Sequence, residues 1–220
     1  MNWTNGLARG VAAGTANGMA ARHSGHGAPA PAAVTTAAFS RLASRRRLFS
    51  LALASGALAL AGCAAPRLED HAGQRPVFDL RTYFDGPVTA HGLVSDRAGK
   101  VLRRFVVSMR CSWVGDIGTL DEDFVYDDGE RERRVWTLRR LGDGRYVGTA
   151  ADVVGEAVGA SVGPAFRWQY TLKLPVSGSI YEVQFDDWMH QIDERTVINR
   201  AVMSKFGIRL GEVTLAFRRP

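Results

Sequence analysis

The feature that most constrains this chain is a strict alternation of apolar and polar residues, repeated through residues 77–220. Phe166, Trp168, Tyr170, Leu172 and Leu174 fall on one face of an extended strand, and Arg167, Gln169, Thr171 and Lys173 on the other. Phe105, Val107, Met109, Cys111 and Trp113 alternate in the same way with Arg104, Val106, Ser108, Arg110 and Ser112. Tyr181, Val183 and Phe185 oppose Glu182, Gln184 and Asp186, and Val213, Leu215 and Phe217 oppose Glu212, Thr214 and Arg218. A period of two with one apolar and one polar face marks antiparallel sheet with one side in water. Turn residues recur between these runs, at Asp96–Gly99, Gly115–Gly118, Asp127-Asp128-Gly129, Gly142-Asp143-Gly144, Ser177-Gly178 and Gly207. Such turns supply the positive φ that hairpins need, and their spacing implies about eight to ten strands. A meander of this kind must close or double over to bury its apolar face and hide its edges. The expected fold is all-β: an antiparallel up-and-down barrel of lipocalin or calycin type, with a β-sandwich as the alternative.

A second signal lies upstream. Arg45, Arg46 and Arg47 precede the apolar run Leu48–Ala61, which ends in Leu60-Ala61-Gly62-Cys63. A basic region, a short apolar region and small residues at a cleavage site make a secretory leader. The run is too short to span a bilayer, which needs about 20 residues. Leu60–Cys63 resembles a bacterial lipobox, which makes Cys63 the lipidated first residue of the mature protein. The twin arginines also resemble a Tat signal, so export is expected by that route or by Sec. Ala64 rather than Asp after the cysteine resembles the default for outer-membrane sorting. Residues 1–62 are then a leader, with a start codon placed too early as one explanation of its length. Residues 63–76, small and polar, are expected to be a lipidated tether, and residues 77–220 a single barrel domain.

Removing the leader changes the charge argument. Six of the 28 basic residues and none of the 22 acidic ones precede Cys63, so the remainder carries 22 of each. A near-neutral domain argues against a nucleic-acid binder. Cys111 is the second of two cysteines, so no internal disulfide is expected; it lies in an apolar alternation and reads as a buried, inert thiol.

Several blocks together carry a resemblance. They are Phe84-Asp85-Gly86-Pro87, Gly118–Phe124, Tyr126–Glu130, Asp186-Asp187-Trp188-Met189, Asn199-Arg200-Ala201 and Met203–Gly207. The chain resembles the DUF3833 family of bacterial lipoproteins over about residues 76–219. The resemblance implies an exported lipoprotein, often encoded near genes for fatty-acid modification. It implies no activity.

Few residues suggest chemistry. Asp121, Glu122, Asp123, Asp127 and Asp128 are split by the alternation between two faces and a turn. They lack calcium-loop spacing, and cross-strand pairing with Arg131, Arg133 and Arg134 is the simpler reading. No His/Cys set has zinc spacing, no nucleophile elbow is present, and no metal or cofactor is expected. Asp186 and His190 stand about 13 Å apart along a strand, too far for a dyad. Asp187 is the exception: with Phe185 and Met189 it points inward, where a carboxylate must be paired or raised in pKa. Arg200 or Asn199 on the next strand are its candidate partners.

The expected function is therefore an outer-membrane-anchored periplasmic protein holding a lipid or other small apolar ligand inside its barrel. Trp113, Trp136, Trp168, Tyr170, Phe185 and Met203 are the candidate lining, with Asp187 and Arg200 as polar handles. One alternative is a filled barrel that docks an envelope protein through Asp186 and Trp188. Another is an enzyme acting on modified fatty acyl chains.

Overall fold

The computed structural model describes residues 65–176 and 178–220, so the lipobox and the expected anchor at Cys63 lie outside the described residues. Ten strands follow one another along the chain. They are β1 Gly86–Asp96, β2 Val101–Val114, β3 Ile117–Tyr126, β4 Arg131–Gly142, β5 Arg145–Thr149, β6 Ala157–Val162, β7 Ala165–Val176, β8 Ser179–Gln191, β9 Thr196–Lys205 and β10 Ile208–Arg218. Each pairs antiparallel with its sequence neighbours, and β1 also pairs with β10, which closes the barrel and leaves no free edge. The barrel, rather than the sandwich, is the fold. Its tight turns use backbone that few residues tolerate: at the β9–β10 tip, Phe206 and Gly207 have φ of 52° and 74°. Paired positive φ values of this kind match the right-handed twist of the flanking strands.

The outer wall is polar, as the alternation requires. Asp121 accepts from both Arg110 and Arg133 on the flanking strands, at 2.8 and 2.7 Å. Arg104 meets Asp127 at 3.0 Å, and Arg200 meets Glu212 at 2.8 Å. Asp121, Asp123 and Asp127 thus pair across strands with arginines, and the two guanidinium groups hold the Asp121 carboxyl down at about 2.

One end of the barrel is plugged by the segment that precedes β1. A short helix, α1 Leu80–Tyr83, is capped by Asp79, whose carboxylate accepts from the Thr82 N–H at 2.9 Å. Phe78, Leu80, Tyr83 and Phe84 are all buried. The Tyr83 hydroxyl lies within hydrogen-bonding distance of two carbonyls that can share its one proton, those of Arg195 (2.9 Å) and Phe217 (3.1 Å), and the Trp113 indole donates to the Phe84 carbonyl at 2.7 Å. The tether expectation needs correcting here. Leu68–His71 forms a 3-10 turn packed on β6 and β7, and the His71 ring meets those of Trp188 (6.3 Å) and His190 (5.2 Å). A single turn held by tertiary contacts has no periodicity to detect.

The interior is rich in aromatic rings, among them Phe105, Tyr126, Trp136, Phe166, Trp168 and Phe185. Three of them lie opposite a glycine in the strand register: Gly92 faces Phe105, Gly118 faces Trp113, and Gly159 faces Trp168. A Cβ at position 118 would stand 2.6 Å from the Trp113 indole, so the ring lies flat on the bare backbone. Rings laid against the wall leave room along the axis that rings projecting across it would fill.

Candidate functional site

The remaining space is a cavity of about 130 Å³ inside the barrel. Its walls come from the inward rows of nearly every strand. Trp136 and Leu138 project from β4, Trp168, Tyr170 and Leu172 from β7, Phe185, Asp187 and Met189 from β8, and Asn199 and Ala201 from β9. The rings interlock. Tyr170 and Phe185 are cross-strand partners stacked at 5.1 Å with a 7° interplanar angle, and Trp136 meets Tyr170 edge-on at 5.4 Å.

Polar groups cluster on one side of this apolar chamber. Asp187 is buried, and its Oδ2 accepts from the Tyr170 hydroxyl at 3.1 Å. Burial raises the Asp187 carboxyl to about 7 against the opposing pull of Tyr170, Arg134 and Asn199. Burial and the Asp187 charge together push the Tyr170 phenol well above its ordinary value. Asn199 is fully buried. Its proximity biases Asp187 toward ionisation, yet neither of its amide atoms completes a hydrogen bond, and Asp187 Oδ1 has none either.

A second group faces the same chamber from β3 and β4. Glu122 is inward with Phe124 and Tyr126, and burial lifts its carboxyl to about 7, with Arg134 opposing and Asp152 and Glu132 adding to the rise. Glu122 is half-buried and lines the cavity. Arg134 is committed elsewhere: it pairs with Asp152 at 2.7 Å and Glu132 at 3.1 Å, and Glu132 also accepts from the Tyr126 hydroxyl at 2.9 Å. Burial pulls the Arg134 guanidinium down, but Asp152, Glu122 and Glu132 outweigh it and hold its pKa above the usual value. Deeper toward the β3–β4 turn, Arg103 lies over the Tyr126 ring at 3.7 Å and pairs with Asp128 and Glu130.

The residues singled out from the sequence divide accordingly. Trp136, Trp168, Tyr170, Phe185 and Asp187 are brought together around the cavity. Trp113 is inward but packs beside the plug, against Tyr146 at 6.1 Å, and does not reach the cavity. Met203, opposite Phe185 in register, is fully buried in packed core. Arg200 points outward to Glu212, because the residue facing Asp187 across the ladder is Ala201 and alternation sends its neighbour to the other side. Asn199, inward and diagonal to Asp187, takes the place that Arg200 was expected to fill. Asp186 and Trp188 are outward but engaged. Arg167 pairs with Asp186 at 2.7 Å and lies 5.1 Å over the Trp188 ring, which also stacks on His190. Cys111 is a free, buried cysteine whose thiol is pushed up to about 12, chiefly by burial.

Glu122 and Arg134 were not singled out as site residues. Their phase was nonetheless legible: Glu122 lies two residues from Leu120 and Phe124, and Arg134 two from Trp136. A charged residue in phase with inward apolar neighbours is the signal. Among the described residues, no group of three or more metal-ligating side chains comes together. Carboxyls poised near neutrality in an apolar chamber suit reading a hydrogen-bonding group or moving a proton.

No curated protein matches the chain. A family model described as "Protein of unknown function (DUF3833)" matches residues 57–219, about three quarters of the chain. With its match spanning every strand of the closed barrel, the chain belongs to the DUF3833 family.

Proposed function

We propose that this protein binds a small, largely apolar ligand inside its barrel. The observation that carries the reading is the aromatic cavity inside the barrel, with Asp187 and Asn199 among its lining residues. Ligand sites are mostly apolar with a few placed polar groups, which is this composition. The volume of about 130 Å³ limits what fits. It is close to the ~150 Å³ of a cavity that accepts benzene, and below the ~300 Å³ at which drug-sized pockets begin. The occupant is thus a ring or a short acyl stretch, or the end of a longer lipid.

The second part of the reading is location. The protein is anchored through Cys63 to the outer membrane and faces the periplasm. The lipobox at Leu60–Cys63 supports this, and the family match begins at residue 57 and so includes it. A lipid anchor of two or more chains gives stable attachment, at ~0.8 kcal/mol per buried CH₂.

Native mass spectrometry of the protein purified from its own envelope, with solvent extraction, tests the ligand. The expected result is a stoichiometric small apolar compound, absent from a Val213→Phe variant that fills the cavity and keeps its far-ultraviolet circular dichroism. A clean apo mass, with no uptake of added short-chain lipids, defeats the reading. Palmitate labelling tests the anchor; label that persists in Cys63→Ser removes that part.

A further inference from the structure

The cavity brings aromatic rings together with acid that the protein does not neutralise. Glu122, Asp187 and Arg134 are the charged residues of its lining. Arg134 is already divided between two other carboxylates, Asp152 at 2.7 Å and Glu132 at 3.1 Å. Asp187 takes the proton of the Tyr170 hydroxyl, a neutral donor that leaves its charge unmatched. Glu122 is half-buried, and Arg134 acts on its carboxyl as a charge at a distance, not through a hydrogen bond. Four carboxyls, those of Glu122, Glu132, Asp152 and Asp187, thus share one guanidinium.

The rings around these acids attract positive charge, because the face of an aromatic ring is negative. Two of them already hold a cation of the protein's own: Arg134 stands 5.5 Å over Phe124, and Arg103 stands 3.7 Å over Tyr126. Among the described residues, no cation lies over Trp136, Trp168 or Tyr170. Indole is nevertheless the best cation binder of the aromatic side chains. Trp136 meets Trp168 at 5.9 Å and 63°, and Tyr170 at 5.4 Å and 78°. Rings set at such steep angles form a corner rather than a stack, and a corner of rings beside a carboxylate is how quaternary ammonium groups are recognised.

The chemistry of the occupant follows. An anion meets Glu122 and Asp187 as like charges. A wholly neutral ligand fills the space and leaves both acids without a counter-charge. A primary ammonium brings the charge but gives up hydrogen bonds to water that an apolar lining replaces only in part. A methylated ammonium carries its charge beneath methyl groups and needs no hydrogen-bond acceptor. It is comparable in size to the benzene ring that a cavity of this volume accepts.

We propose that the barrel binds a methylated ammonium group, caged by Trp136, Trp168 and Tyr170 and charge-matched by Glu122 and Asp187. This names the class of ligand and rests on the ligand-binding reading. The group occurs both in free quaternary amines and on zwitterionic lipid heads. Its binding follows pH. Burial raises both carboxyls to about 7, and Arg134 from β4 opposes the rise in each. Asp152 from the β5–β6 loop, Glu132 from β4 and Asp121 from β3 add to it at Glu122. At Asp187, Asp186 adds to it, and Tyr170 and Asn199 oppose it. Both acids are ionised at pH 8 and protonated at pH 5.5, so a cation binds more tightly at the higher pH.

Choline and its uncharged isostere 3,3-dimethylbutan-1-ol separate charge from shape. Each is titrated into the intact protein in maltoside detergent at pH 8 and pH 5.5, followed by calorimetry and tryptophan emission. At pH 8 choline should bind at least ~10-fold tighter than the alcohol, about 1.4 kcal/mol, and at pH 5.5 by less than ~3-fold. Glu122→Gln should weaken choline and leave the alcohol unchanged. Dihexanoylphosphatidylcholine below its micellar concentration identifies the source: binding like that of choline marks a lipid head, and no binding marks a free amine. If the alcohol binds as well as choline at pH 8, or choline keeps the same advantage at both pH values, the ammonium assignment is overturned while the ligand-binding reading stands. If neither enters, both are overturned. The comparison in the native protein decides the matter even if the variant does not fold.

Discussion

Replacing Asp187 with asparagine should stabilise this protein at alkaline pH and leave it nearly unchanged in acid. The carboxyl is 6% exposed and is raised from 3.8 to about 7, chiefly by burial. A folded state that holds the proton more tightly than the unfolded chain loses stability as pH rises between the two values. The contribution is therefore full below about pH 4, declines through the window and is gone above about pH 7. Each tenfold change in proton affinity is worth about 1.4 kcal/mol, so the ionised carboxylate at pH 8 costs up to about 4 kcal/mol.

The amide introduced by Asp187→Asn carries no charge to bury. Its carbonyl can still accept from Tyr170, and its NH₂ can donate toward Asn199 Oδ1, which has no partner in the native protein. Urea denaturation of both proteins at pH 5 and pH 8 measures the difference. The native protein should lose stability between the two pH values. The variant should lose less, by about 2–4 kcal/mol, and be the more stable of the two at pH 8. Glu122, raised to about 7 by the same cause, slopes in the same direction and remains in the variant, so the loss is reduced rather than abolished. Equal pH slopes in the two proteins, or a variant destabilised alike at both pH values, would refute the reasoning. Either result would mean that Asp187 is ionised and paired when folded.

The other structural predictions are more local. Arg134→Met strands Asp152 and Glu132 without their shared cation, and should cost about 3–5 kcal/mol by urea denaturation at pH 7; a cost below about 1 kcal/mol would contradict the ion-pair geometry. Gly118→Ala places a methyl against the Trp113 indole and should break its 2.7 Å hydrogen bond to Phe84, at a cost of about 1–3 kcal/mol and with a changed tryptophan emission. Unaltered emission and stability would show that the ring does not lie on the backbone. Cys111, its thiol lifted to about 12 by burial, should resist a thiol reagent in the folded protein and react only when urea unfolds it.

The strand content was legible because alternation is a local property. Phe166 to Leu174 can bury one face only as a strand, whatever surrounds it, and the structure places β7 at Ala165–Val176. The same alternation put Asp187 inside. Its consequence for Arg200 was also available, since a residue one step from an inward position must point outward. Of the two candidate partners, charge complementarity favours Arg200, whereas strand geometry turns Asn199 inward. The plug was not legible. Phe78, Leu80, Tyr83 and Phe84 show no period, and only the open end of a barrel gives a short aromatic segment a place to be buried.

By itself, the sequence determined the class of structure: an all-β antiparallel meander, the inward and outward residues of its clearest strands, and a carboxylate on the apolar face. Those follow from the two-residue period of an extended chain, which needs no partner to be read. Tertiary structure alone decided that β1 meets β10, that Gly92, Gly118 and Gly159 face Phe105, Trp113 and Trp168, and that a chamber remains inside the barrel, with Phe105 and Trp168 in its lining. It also decided which polar atoms go unpaired. Register across strands depends on the sum of many weak side-chain contacts around the whole ring, and no local stretch of residues carries that sum.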